Sequence, residues 1–102
     1  MGENSCKIAT IYSNIGNLYS KQGQLELAET YHMDALRIFQ MIHKDLHSDI
    51  AYAFTNIGKL RKKQGKVEVA RTLFEKALII YTQIYGPEHI QVGELQEMLN
   101  EV

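Results

Sequence analysis

The chain has few of the residues that break or staple a fold. Its 102 residues hold one proline, Pro87, one cysteine, Cys6, and no tryptophan. A single thiol cannot form a disulfide within the chain, which fits a reducing compartment, so we expect a cytoplasmic protein. With seven glycines and that lone proline, most of the chain is free to take regular structure. No apolar run approaches the roughly 20 residues a membrane span needs, and no apolar signal segment opens the chain, so no membrane role is expected. The net charge of −1 gives no general attraction to nucleic acid. The length suits one domain, spanning residues 1–102.

Catalytic constellations are also missing. His43 and His47 stand four apart, but they straddle an expected helix end and Cys6 is distant in sequence, so no metal site is expected. Cys6 is followed by Lys7, with no histidine spaced to activate it as a nucleophile. Gly16, Gly23, Gly58 and Gly65 do not follow the order of a phosphate-binding loop. The reading is of a protein that is not an enzyme and carries no cofactor.

What the chain does have is a repeat. Residues 8–49 laid over 50–91 agree at 17 of 42 positions, among them Asn14/Asn56, Gly16/Gly58, Gly23/Gly65, Ala28/Ala70, Ala35/Ala77 and His47/His89. A period of this length marks a stacked array, because one unit cannot bury its own apolar face. Apolar residues recur at helical spacing in each copy. Ile8, Ile11, Tyr12, Ile15, Leu18 and Tyr19 share an arc over 6–21, and Leu25, Ala28, Ala35, Leu36, Phe39 and Ile42 share one over 25–42. The second copy predicts helices over 49–64 and 67–84, and Val92, Leu95, Leu99 and Val102 predict a fifth over 88–101. Gly23, Gly65 and Gly86 are positioned to end helices. A side-chain oxygen of Ser48 or Asp49 is the expected cap of the third, and His89 is expected to cap or pack at the start of the fifth. Short connections make each pair antiparallel. The fold class is therefore all-α: two stacked hairpins (repeats at about 8–49 and 50–91) plus a capping helix at about 88–101, an α-solenoid of five helices.

This pattern resembles the tetratricopeptide repeat family. The motif positions are held by Tyr12, Ile15, Gly16, Tyr19, Ala28, His32 and Ala35 in the first copy. In the second they are Phe54, Ile57, Gly58, Arg61, Ala70, Phe74 and Ala77. His32 and Arg61 depart from the family's aromatic preference, and Gln40 and Thr82 stand where it places proline. The long period, with Tyr85-Gly86-Pro87-Glu88-His89-Ile90-Gln91-Val92 and the looser Asp45-Leu46-His47-Ser48-Asp49-Ile50-Ala51, is similar to the 42-residue repeats of kinesin light chains.

The resemblance implies a scaffold that binds a peptide or protein partner in a concave groove lined by the first helix of each hairpin. On those helices the polar arcs offer Ser13, Asn14, Asn17 and Lys21, then Tyr52, Thr55, Asn56, Lys59, Lys62 and Lys63. Asn14 and Asn56 match the position whose amide grips a bound peptide backbone in the family. An amide can both donate and accept, which suits that task. Residues 43–66 carry Lys44, Lys59, Arg61, Lys62, Lys63 and Lys66 against Asp45 and Asp49. Lys59, Lys62 and Lys63 suit an acidic peptide, the alternative being a solvated charged face. A chaperone-type carboxylate clamp is broken, because its basic positions fall at Ser13, Glu94 and Met98. The competing reading is a self-associating structural module. Two and a half repeats are few for an array, and Ile8, Ile11 and Tyr12 leave an apolar edge that a second copy could cover as a homo-oligomer.

Overall fold

The computed structural model describes residues 3–44 and 46–102 of the chain, so Asp45 of the first loop motif lies outside the described residues. Five helices follow in order: α1 Glu3–Lys21, α2 Leu25–Ile42, α3 Ser48–Lys63, α4 Val67–Tyr85 and α5 Ile90–Asn100. No strand occurs among the described residues. Each helix packs on its neighbours in the chain, and α1 also touches α3. The extents of 32 × 31 × 18 Å fit a slab two helices thick, at the usual interaxial spacing of about 8–10 Å.

The breaks between helices are local chemistry written twice. Gly23 and Gly65 take φ of 80° and 81°, the left-handed conformation that a side chain would resist. Gln24 N donates to Tyr19 O and Gly23 N to Ser20 O, and Lys66 N to Arg61 O and Gly65 N to Lys62 O repeat the pattern. Those paired bonds satisfy the last carbonyls of α1 and α3 and turn the chain back on itself.

The expected oxygen cap of α3 is not what starts the helix. His47 takes extended backbone geometry and its Nδ1 accepts from Asp49 N at 3.0 Å. His89, at the same place in the second copy, accepts from Gln91 N at 3.2 Å. An imidazole with a free ring nitrogen does here what a serine or aspartate oxygen does elsewhere. For the same reason α5 begins only at Ile90, after Pro87, rather than at the expected residue 88.

Small residues set how closely the helices approach. A Cβ built on Gly16 would lie 2.8 Å from Nε2 of His32, and one on Gly58 would lie 2.6 Å from Cε1 of Phe74. Each glycine costs its helix about 1 kcal/mol against alanine, and in return an aromatic ring of the partner helix packs directly against bare backbone. Ala9, Ala28, Ala35, Ala51, Ala70 and Ala77 are the other shallow positions, and Phe39, Phe74, Leu60 and Leu95 fill the space between them. Leu25, Leu36 and Ile42, expected in the interior, are half-buried. The departures from the motif find partners. Tyr19 stacks on Tyr31 at 5.6 Å, whereas Arg61, in the matching place, reaches back to Glu29 on α2 at 2.5 Å beside Gln64. The bonds from Gln64 and Arg61 hold the Glu29 carboxyl below its usual range.

Candidate ligand-binding cleft

α1 and α3 lie side by side, and the last two turns of α1 with the matching turns of α3 frame a cleft of about 290 Å³. Asn17, Ser20 and Lys21 form one wall, Asn56, Lys59, Leu60 and Lys63 the other, and His32 of α2 closes the floor. The offsets of three and four place these side chains on facing stripes of two neighbouring helices. Lys63 Nζ spans the cleft to Ser20, 3.0 Å from its Oγ.

Three properties of the cleft bear on ligands. Its charge comes from Lys21, Lys59 and Lys63, with no acidic side chain in the lining. His32 adds none near neutral pH, because burial pushes its pKa down to about 4. Asn56 is 5% exposed, and its amide nitrogen has no hydrogen-bond partner. Such an orphan buried donor costs on the order of 1–3 kcal/mol. The nitrogen itself is shielded from solvent, as is the equally unpartnered Ser13 Oγ, but the Asn56 residue belongs to the cleft wall.

The residues expected to line a groove divide. Asn17, Lys21, Asn56, Lys59 and Lys63 come together in the cleft. Asn14 and Lys62 are exposed but outside its lining. Ser13 corrects the expectation, being fully buried at 0% exposure and unable to meet a ligand. It lies between Ala9 and Gly16 on the small-residue seam of α1, so its polarity misled the wheel. The Thr55 hydroxyl is spent on Ala51 O at 2.8 Å. Tyr52 lines a different cleft of about 330 Å³, with Asp49, Tyr81, Tyr85 and His89 among its neighbours. Burial pushes the Tyr81 phenol there up to about 12. Ser20, His32 and Leu60 were missing from the expected set. The one signal for His32 was its departure from an aromatic at a position that must pack on glycine.

The distance of Cys6 from His43 in sequence is not a distance in space. Cys6 and Asp49 both lie beside it, 43 residues apart in sequence. Among the described residues no helix is long and apolar enough to cross a membrane.

A family model described as tetratricopeptide repeat matches residues 7–70, and a second of the same description matches residues 50–91. No curated protein matches the chain.

Proposed function

Because the chain belongs to the tetratricopeptide repeat family, whose repeats generally mediate protein–protein interaction, we propose that it binds an acidic peptide segment of a protein partner in the cleft between α1 and α3. The observation that carries this reading is the unpartnered Asn56 amide beside Lys59 and Lys63. A turn of the Asn56 side chain on binding would present its amide nitrogen to a peptide carbonyl, and a neighbouring carboxylate meets the ammonium groups. The sites the reading assigns are Asn17, Lys21, Asn56, Lys59 and Lys63, with Ser20 as a second polar contact. A cytoplasmic setting suits such a module and its free Cys6.

Selection from a random peptide display tests the proposal. Selected sequences are expected to be rich in Asp and Glu. Binding of the best of them should weaken by about tenfold or more in Asn56→Ala and in Lys59→Ala/Lys63→Ala, the usual scale for losing a charged or polar anchor. Asn14→Ala, outside the cleft, should leave affinity unchanged. Asn56→Ala should also melt no earlier than the wild type, since it removes an orphan donor. Unchanged affinity in the Asn56 and lysine variants defeats the assignment.

A second reading, self-association, is favoured by one observation. Ile8, Ile11 and Leu18 stay exposed along α1, at 43%, 53% and 56%. Such a stripe is what a second copy could cover. Static light scattering decides it: a concentration-dependent rise to twice the 11.7 kDa chain mass, abolished by Ile11→Lys, is expected if α1 pairs, and a constant monomer mass removes the reading.

A further inference from the structure

We propose that Cys6, His43 and Asp49 form a binding site for a divalent metal ion, best matched by zinc, that clasps the start of α1, the end of α2 and the start of α3. Asp49 Oδ2 lies 3.5 Å from Cys6 Sγ and 2.9 Å from His43 Nε2, and the three ligand atoms all fall within 4.8 Å of one another. Ligands around tetrahedral zinc stand about 3.3–3.8 Å apart, as follows from bond lengths of about 2.0–2.3 Å. Two of the three separations thus fall within about 0.5 Å of those an ion imposes, and the Cys6–His43 pair lies within 4.8 Å, close enough for a side-chain adjustment to complete the set. A thiolate, an imidazole and a carboxylate are the donor types zinc prefers, and they leave a fourth position for water. The His43 and Asp49 side chains keep 17% and 34% exposure, so an ion can enter from solvent.

The repeat supplies an internal control. Moved on by 42 residues, Cys6, His43 and Asp49 fall on Ser48, Tyr85 and Gln91. The fold therefore does not need these residue types, because the second hairpin is built without them. His47 behaves differently. Its counterpart is His89, and both cap a helix through Nδ1. Tyr85 stacks on His89 at 4.3 Å as His43 stacks on His47 at 3.4 Å. Stacking and capping are thus common to both copies, and the ligand trio belongs to the first alone. His47 acts as a positioning residue: its ring lies flat on His43 and its Nδ1 holds the Asp49 backbone.

Loading replaces protons with the ion. The Cys6 thiol, which donates to Asp49 without metal, gives its proton to solvent and binds as thiolate. His43 binds through Nε2 as neutral imidazole with its proton on Nδ1. The clasp joins residues 43 positions apart and so fixes the angle between the two hairpins, the same angle that shapes the cleft.

The test uses the reduced, tag-free chain and the metal ions alone. Cobalt(II) titration of the wild type should develop a thiolate-to-metal charge-transfer band and the visible bands of tetrahedral cobalt, both removed by zinc, and zinc should raise the Tm. The variants Cys6→Ser, His43→Tyr and Asp49→Gln carry the residues that the second hairpin already accommodates, and circular dichroism should show them folded. Each should weaken zinc binding by at least the ~10–100-fold that loss of even a supporting group costs. Absence of the charge-transfer band in the wild type, or unchanged zinc affinity across the three variants, overturns the proposal.

Discussion

Phe74→Ala is expected to lower the unfolding free energy by about 3–5 kcal/mol, the range for removing a buried aromatic ring. Against a total of about 5–15 kcal/mol for a chain of this size, that is a large fraction of the whole. Three features put Phe74 at the upper end. It is 1% exposed, with the α4 alanines Ala70 and Ala77 on its own face. Its ring rests on the bare backbone of Gly58, which has no side chain to swing into the void. It also lies in the cluster that joins α4 to Ile50 and Ala53 of α3 and to Val92 and Leu95 of α5, so its loss loosens three helices. The complementary change, Gly58→Ala, gains about 1 kcal/mol of helix propensity but drives a methyl to 2.6 Å from the ring. We expect a net loss, relieved when Phe74 is Leu. Chemical denaturation of the single and double variants reads both effects, and the coupling between them is the signature of ring on backbone. A loss under about 1 kcal/mol for Phe74→Ala would mean that the core closes without the ring, against this account.

How much of this could be read from residues alone depends on how local the cause is. The ends of α1 and α3 were legible because Gly23 and Gly65 act within one turn, through a backbone conformation that few other residues accept. Helical periodicity gave α2 and α4 in the same way. The cap of α3 was misassigned because Ser48 and Asp49 offer the usual oxygens, while the imidazole of His47 stands one residue earlier and already has the extended geometry. A helical wheel reports direction but not depth. It placed Asn17, Lys21, Asn56, Lys59 and Lys63 on polar arcs, and these do meet in one cleft. It placed Ser13 there too, although the side chain faces the seam between helices. The approach of Cys6 to Asp49 was out of reach, since it depends on how the first hairpin docks on the start of the second. Arg61 shows the same limit: as a departure from the motif it looked like an exception, and only its partner Glu29, 32 residues away, explains it.

Mild acid should destabilise the fold through His32. Its ring is 2% exposed and packs on Gly16 as Phe74 packs on Gly58, a site that excludes the water a cation needs. Burial pushes its pKa from an ordinary 6.5 to about 4. Between those values the unfolded chain binds a proton that the folded chain refuses, so stability falls as pH drops from 6.5 towards 4 and is flat in this term above 6.5. At about pH 5 the difference amounts to about 2 kcal/mol, or roughly 10 °C in Tm for a chain of this length. Glu29 works in a lower window. Its depressed pKa contributes stability above the ordinary 4.5 that is lost only as pH falls below it, so it contributes little to a comparison between neutral pH and about pH 5. His32→Phe isolates the effect, because phenylalanine already occupies the equivalent place in the second hairpin. Wild type and variant, melted side by side from neutral pH to about pH 5, should diverge by about 2 kcal/mol in favour of the variant. Parallel curves would show that His32 takes up its proton without cost, and that the floor of the cleft is wetter than its packing implies.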